Sequence, residues 1–139
     1  MIAIVVGTHG NLSKELLKAS EMIIGQQHNV EAVTFQLGES IEDLTLRYEE
    51  TLSNLDTSEG VLFIVDLFGG SPYNAASLVA IKQEKMDIIT GVNLPMLIKA
   101  FVSRKTSSLE EVIKASEISG REGIKQFKEN FSLVEEEEL

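Results

Sequence analysis

The stretch Met1-Ile2-Ala3-Ile4-Val5-Val6-Gly7-Thr8-His9-Gly10 decides how the fold of this chain is interpreted. Its first six residues form an apolar run, which predicts a buried strand, and a histidine in a glycine-bounded loop follows this run directly. Open α/β sheets bind and react at the carboxyl ends of their strands. His9 is therefore a candidate functional residue.

A second stretch carries the other chemical signal. The run Gly60-Val61-Leu62-Phe63-Ile64-Val65 ends in Asp66 and continues as Leu67-Phe68-Gly69-Gly70-Ser71-Pro72-Tyr73-Asn74. An uninterrupted β-branched and aromatic run is typical of a strand covered on both faces. Ser71 is expected to cap the next helix, with Pro72 at its first position, where a missing N–H costs nothing.

Strand-like and helix-like segments alternate along the whole chain, which predicts βαβ units. The simplest arrangement is an α/β fold, a doubly wound sheet of four parallel strands in the order 2-1-3-4 with helices on both faces. Gly120 and Gly123 interrupt the last helical pattern, so residues 124–127 fit either a short helix or an edge strand. The predicted strands are 1–6, 30–35, 61–65 and 87–92. Five helices are predicted, beginning near Leu12, after Ser40, after Ser71, near Leu94 and after Ser108. Two of them begin with a capping box, formed by Ser40 with Asp43 and by Ser108 with Glu111. The spacing predicts core positions at Leu12, Leu16, Ala19, Met22 and Ile23 in the first helix and at Met96 in the fourth.

Length and charge narrow the function classes. A chain of 139 residues fits one domain, and 43% hydrophobic residues are enough for its core. The net charge of −10, with no basic cluster, argues against nucleic acid and anionic membranes as partners. Without cysteine, no disulfide or thiolate metal site exists. The first apolar run is too short for a signal peptide or a membrane span, so a cytoplasmic protein is expected.

The strand order places His9 and Asp66 on two sides of one crevice, because the chain changes direction across the sheet between strands 1 and 3. A neutral imidazole has one free ring nitrogen, and a carboxylate that accepts from the other nitrogen orients the ring. Gly69, Gly70 and Ser71 then supply backbone N–H groups for an anion, with Thr8 as a further phosphate-binding candidate. This set predicts phosphoryl transfer through phosphohistidine, with neither a metal nor a cofactor.

Simpler interpretations stand beside these. Asp66 and the glycine pair are also typical of a turn, and Thr8 is equally suited to organising its loop. Phe68 is either core or a partner-docking aromatic. Further candidates are the crevice walls Tyr73, Asn74 and Asn93, whereas His28 is expected to be solvated.

The motifs together resemble one family over nearly the whole chain. Ile4–Gly10, Gly60–Asn74, Gly91–Leu97 and Gly120–Gly123 are similar to the signatures of mannose-family IIA domains of the bacterial phosphoenolpyruvate:sugar phosphotransferase system (PTS). The mannose, sorbose, fructose and N-acetylgalactosamine branches share these motifs, so the sugar stays undetermined.

The resemblance implies a phosphotransferase component that carries phosphate on the histidine at position 9, oriented by the aspartate at position 66. The phosphocarrier protein HPr would be the donor and the IIB component the acceptor, with IIC and IID in the membrane. It also implies a domain at residues 1–130, an acidic tail at 131–139, and a homodimer that exchanges a short antiparallel strand within residues 120–127. IIB would then be a separate chain, unless the sequence is a piece of a longer protein.

Three other functions fit parts of the pattern. A receiver-like module would accept phosphate on Asp66, although the first strand ends without the acidic metal cluster such modules use. A flavin-binding or other small-ligand domain has the same type of sheet. The phosphocarrier subunit of a dihydroxyacetone kinase is closest in kind, but the Gly-Thr-His-Gly and Gly-Gly-Ser-Pro motifs favour the sugar-transport branch.

Overall fold

Four strands alternate with four helices, and further helical segments follow, within residues 1–131, the part of the chain that the computed structural model describes. The strands are β1 (Ala3–His9), β2 (Val30–Phe35), β3 (Val61–Val65) and β4 (Met86–Ile89). The helices are α1 (Leu12–Ile24), α2 (Ile41–Ser53), α3 (Ser71–Ala80), α4 (Leu94–Ser103) and α5 (Leu109–Glu122).

The four strands are parallel and follow the order β2-β1-β3-β4, which confirms the predicted topology. Strand β1 extends beyond its apolar run as far as His9, because it pairs with β2 up to the partners His9 and Phe35. Strand β4 begins one residue earlier and ends three residues earlier than predicted. Its pairing with β3 stops at Ile64 and Ile89, although the N–H of Val92 still donates to the carbonyl of Val65 at 3.2 Å.

Helices cover both faces of the sheet, as predicted, so alternate strand residues enter two different cores. Helices α2 and α3 cover one face, and α1, α4 and α5 cover the other. The first core includes Ala3, Val5, Val61, Phe63 and Val65, and the second includes Ile2, Ile4, Val6, Leu62 and Ile64.

Side-chain caps begin two of the helices at the predicted residues. The Ser40 and Asp43 pair caps α2, and the Ser108 and Glu111 pair caps α5. The prediction for α3 is wrong by one residue. Gly70 is the N-cap and Ser71 is the first helical residue, because the Gly70 carbonyl accepts the first intrahelical bond, at 2.8 Å from the Asn74 nitrogen.

The buried face of α1 also differs from the prediction. Leu12, Met22 and Ile23 are exposed, whereas Ser13 and Ser20 are fully buried. The Ser13 hydroxyl donates to the Val33 carbonyl and the Ser20 hydroxyl to the Leu16 carbonyl. Small side chains with satisfied hydroxyls let this face of α1 lie against the sheet, and hydrophobic spacing does not detect such a face.

The described residues show no strand within 120–127, so the strand predicted there, which would form by exchange in a dimer, is not confirmed. Residues 120–122 complete α5, and residues 127–131 are helical. A Cβ at Gly120 would lie 3.0 Å from Met96 Cε, so this glycine permits close packing of α5 on α4 and does not end the helix. The acidic run Glu135–Glu138 lies outside the described residues.

No helix among residues 1–131 is long and apolar enough to cross a membrane.

Candidate active site

His9 and Asp66 meet directly at the carboxyl edge of the sheet. The Asp66 Oδ2 atom lies 2.9 Å from the His9 ring Nδ1 and 3.0 Å from the His9 backbone nitrogen, so one carboxylate oxygen accepts both hydrogen bonds. The strand order brings the two residues together, because the loops after β1 and β3 diverge at this point. The predicted pairing of His9 with Asp66 is present in the structure.

Exposure differs between the two side chains in a way that suits their chemistry. The His9 side chain is 47% exposed, whereas that of Asp66 is 16% exposed. The second carboxylate oxygen, Asp66 Oδ1, is buried with no hydrogen-bond partner among the described residues. The carboxylate is therefore held by its bonds to His9 at one oxygen, and the imidazole keeps a face open to an incoming group.

Two neighbours fix the plane of the imidazole. The Phe35 ring lies edge-on to it, with ring centroids 6.0 Å apart and an interplanar angle of 86°. Gly70 lies beside the ring, where a Cβ would be 2.8 Å from His9 Cε1 and 3.5 Å from Nε2. Position 70 must lack a side chain for His9 to keep this orientation, which explains one glycine of the pair.

The phosphate-binding candidates occupy different places. Gly70 and Ser71 form the start of α3, where N–H groups attract anions, although the Gly70 N–H already donates to the Leu67 carbonyl at 3.1 Å. Gly69 has a φ of +82°, and its carbonyl accepts from the Asn74 side chain at 3.1 Å. Thr8 is buried, and its hydroxyl accepts from the Ser13 nitrogen at 2.7 Å and donates to the His9 carbonyl. Thr8 therefore organises the His9 loop in this structure.

A cleft of about 450 Å³, lined by both apolar and polar side chains, lies beside the loop that follows Asp66. Phe68, which is 73% exposed and packs on Tyr73 with ring centroids 4.7 Å apart, forms one wall together with Tyr73. Asn93 also lines this cleft, whereas Asn74 is exposed outside it. Phe68 is thus a surface aromatic, and its partner-docking role stays a prediction. His28 is exposed in its loop, as predicted.

Two site neighbours were missed by sequence reasoning. Phe35 ends β2 level with His9. Its place at the carboxyl end of the predicted strand 30–35, next to strand 1, is the signal that would have found it. Tyr48 lies on α2, and its hydroxyl donates to the Pro72 carbonyl beneath the site at 3.1 Å. No pattern in the sequence indicates that this hydroxyl reaches α3.

The arrangement supports nucleophilic chemistry at the histidine. When Nδ1 carries the proton and donates to Asp66, Nε2 has a free lone pair at the exposed side of the ring. The carboxylate stabilises positive charge on the ring as Nε2 reacts. Within residues 1–131, no group of three or more His, Asp or Glu side chains is placed to hold a metal ion.

Comparison with known proteins finds relatives that are described as IIA components, or IIA-containing components, of the PTS. The family model described as PTS system fructose IIA component matches residues 3–117. The PTS system mannose-specific EIIAB component of Escherichia coli strain K12 is 45% identical over 128 residues, which is 91% of this chain and 40% of that protein. The PTS system fructose-specific EIIA component of Bacillus subtilis strain 168 is 37% identical over 113 residues, covering 81% of this chain and 77% of that protein. The crystal structure of an EIIA component from Streptococcus agalactiae superposes with a TM-score of 0.84 at 28% identity, covering 92% of this chain and 98% of that one.

Proposed function

The chain belongs to the family of PTS system fructose IIA components, and on that premise we propose that His9 carries a phosphoryl group from phosphorylated HPr to the cognate IIB component. The single observation that carries this proposal is the 2.9 Å contact between His9 Nδ1 and Asp66 Oδ2, which leaves Nε2 as the reactive atom. The chain spans 40% of the length of the mannose-specific EIIAB relative, so donor, acceptor and sugar are all part of the proposal.

The proposed reaction is an in-line exchange of one phosphorus–nitrogen bond for another. The lone pair of His9 Nε2 attacks the phosphorus of the donor phosphohistidine, the donor P–N bond breaks, and its electron pair returns to the donor imidazole. The proton on His9 Nδ1 stays in its bond to Asp66, whose negative charge offsets the positive charge that develops on the ring. Transfer to IIB repeats the exchange with His9 as the donor, so catalysis consists of positioning and charge stabilisation.

The start of α3 is the proposed cradle for the phosphoryl oxygens. Gly70 lies against the imidazole, and the Ser71 N–H belongs to the positive end of the helix dipole. The Gly70 N–H donates to the Leu67 carbonyl at 3.1 Å, so Gly70 would bind phosphate through this group only after releasing that bond. Pro72 contributes no N–H, so the proposed donors are the N–H groups of Gly69 and Ser71, and Gly70 lets the phosphoryl group approach the backbone. Thr8 supports it indirectly through the His9 loop, and its direct contact with phosphate remains a prediction.

An apolar rim around His9 suits docking of two successive protein partners. Leu37, Leu67 and Phe68 lie in loops that leave the same edge of the sheet, and their side chains are 104%, 60% and 73% exposed. Large exposed apolar side chains around a reactive group are typical of protein-binding sites. We assign this rim to HPr and IIB in the cytoplasm, with IIC and IID moving the sugar through the membrane.

A homodimer is the proposed assembly. Among the described residues, strand β4 pairs with β3 alone, and the lining of the cleft beside it includes Ile88, Ile89 and Ile113. Ile124 and Phe127, which follow α5, are 81% and 74% exposed. Exchange of the segment after α5 between two copies would place these side chains against the free edge of β4.

Mass spectrometry tests the phosphocarrier proposal. The chain is incubated with phosphoenolpyruvate, enzyme I and HPr, and the modified residue is mapped under basic conditions, in which phosphohistidine survives and an acyl phosphate hydrolyses. We expect one phosphoryl group on His9 and none in His9→Ala. Phosphate on Asp66 would instead favour the receiver-like function. One structural observation disfavours that function, because Asp66 Oδ2 already accepts two hydrogen bonds from His9.

A further inference from the structure

Tyr48 places a hydroxyl group in the core beneath the active site. Its side chain is fully buried on α2, and its ring packs edge-on against Phe63 with centroids 5.2 Å apart. The hydroxyl crosses to α3 and donates to the Pro72 carbonyl at 3.1 Å. A phenylalanine would fill the same apolar surroundings without a polar atom, so burial of apolar area does not account for the hydroxyl.

The first strand is adapted to this hydroxyl. A Cβ at Gly7 would lie 2.0 Å from the Tyr48 hydroxyl oxygen, so only glycine at that position leaves room for it. Gly7 lies two residues before His9, and Pro72 lies two residues after Gly70. The Tyr48 hydroxyl therefore sits between the strand that carries the nucleophile and the helix turn that approaches it.

The proton of this hydroxyl is firmly held. Burial, followed by the negative charge of Asp66, raises the pKa of Tyr48 above its ordinary value. The phenol is therefore neutral across the working range of pH and acts as a constant donor to the Pro72 carbonyl.

We propose that Tyr48 is a positioning residue for phosphoryl transfer: its hydrogen bond to the Pro72 carbonyl holds the first turn of α3, and with it Gly70 and the phosphate cradle, against His9. This inference rests on the proposed function. It adds a group that touches neither phosphate nor partner and acts through the α3 backbone. The docking rim and the bond between His9 and Asp66 do not depend on it.

The first test is Tyr48→Phe in the full chain, phosphorylated by enzyme I and HPr. Loss of a hydrogen bond to a backbone carbonyl corresponds to about a fivefold change in an equilibrium constant. We expect kcat for transfer from phosphorylated HPr to fall by about fivefold, since the cradle loosens. The KM for phosphorylated HPr should stay unchanged, because Leu37, Leu67 and Phe68 are untouched.

A double variant separates hydrogen bonding from packing. In Gly7→Ala/Tyr48→Phe the new methyl group occupies the space of the missing hydroxyl, with Cζ and Cε1 of residue 48 at 3.0 and 3.1 Å before a small ring shift. We expect this variant to regain packing relative to Tyr48→Phe while its kcat stays low, because the bond to Pro72 is still absent. Recovery of both melting temperature and kcat would overturn the proposal, since Tyr48 would then act through packing alone.

Ser20→Ala is the matched control. It removes another buried hydroxyl, which donates to a carbonyl within α1 at 2.8 Å and has no link to α3. We expect wild-type kcat in this variant. If Tyr48→Phe also transfers at the wild-type rate, the positioning role is refuted while the phosphocarrier function stands. If the unaltered chain takes no phosphate on His9, the proposed function itself fails.

Discussion

Replacing Asp66 by asparagine separates the charge of the site from its geometry. Both hydrogen bonds from His9 end on one carboxylate oxygen, Oδ2, whereas Oδ1 is buried without a partner among the described residues. In Asp66→Asn the amide oxygen can take the place of Oδ2 and keep both bonds, and the amide NH₂ then occupies the position of Oδ1. The histidine orientation is retained, and the negative charge is lost.

The size of the effect follows from the distance between the groups. At the 2.9 Å separation of Nδ1 and Oδ2, two unit charges attract by about 1.4 kcal/mol in water and by about 6 kcal/mol at an effective dielectric constant of about 20. Because the His9 side chain is 47% exposed, solvent screening favours the lower part of this interval, about 1.5–3 kcal/mol. We therefore expect transfer to His9 to slow by about 10- to 150-fold.

Rapid-quench measurement of phosphoryl transfer from phosphorylated HPr gives this rate. Asp87→Asn, a change of the same type on β4 at an exposed aspartate, should transfer at the wild-type rate. Asp66→Ala removes charge and both bonds, and we expect it to be slower than Asp66→Asn. A folded Asp66→Asn protein with an unchanged rate would refute the electrostatic role assigned to this carboxylate.

Three further outcomes are expected. In Gly70→Ala the new Cβ would lie 2.8 Å from His9 Cε1 and should turn the imidazole away from the Asp66 carboxylate. We expect phosphoryl transfer to fall at least about tenfold, while the change at the helix cap costs only about 1 kcal/mol of stability. Wild-type transfer by a correctly folded Gly70→Ala protein would contradict this. The hydrogen bond from the Ser40 N–H group lowers the pKa of Asp43. The ionised carboxylate therefore stabilises the fold above its unfolded-state pKa, and this stabilisation is lost as pH falls through the lower folded-state pKa. The difference in melting temperature between wild type and Asp43→Ala should shrink below about pH 4. Phe127→Ser should convert the proposed dimer to a monomer in light scattering, because this ring is 74% exposed on the single chain, and an unchanged mass would argue against exchange of the segment after α5.

Local chemistry explains why much of the fold was predictable. The two capping boxes, Ser40 with Asp43 and Ser108 with Glu111, act within one helical turn, so the sequence contains both partners side by side. The buried strand at Val61–Val65 depends on five consecutive apolar side chains. The rules for connecting parallel strands then leave only a few possible orders for the four strands in the sheet, and the observed order is the simplest of these.

Errors arose where a residue's role depends on what lies opposite to it. Gly120 is a residue type typical of a helix end, but it lies inside α5, where the missing side chain leaves room for Met96. Met22 has the spacing of a core residue and is 82% exposed, because α1 turns Ser13 and Ser20 toward the sheet. Neither contact has a local signature.

By itself, the sequence determined the alternation of elements, the parallel sheet, and the pairing of His9 with Asp66 across its switch point. These follow from periodicity and from connection rules, which act along the chain. Only the tertiary structure decided which atoms meet: both His9 bonds on one Asp66 oxygen, Gly70 against the imidazole, and the Tyr48 hydroxyl under Pro72. Such contacts depend on ångström-scale approach between elements distant in sequence, and residue spacing carries no information at that scale.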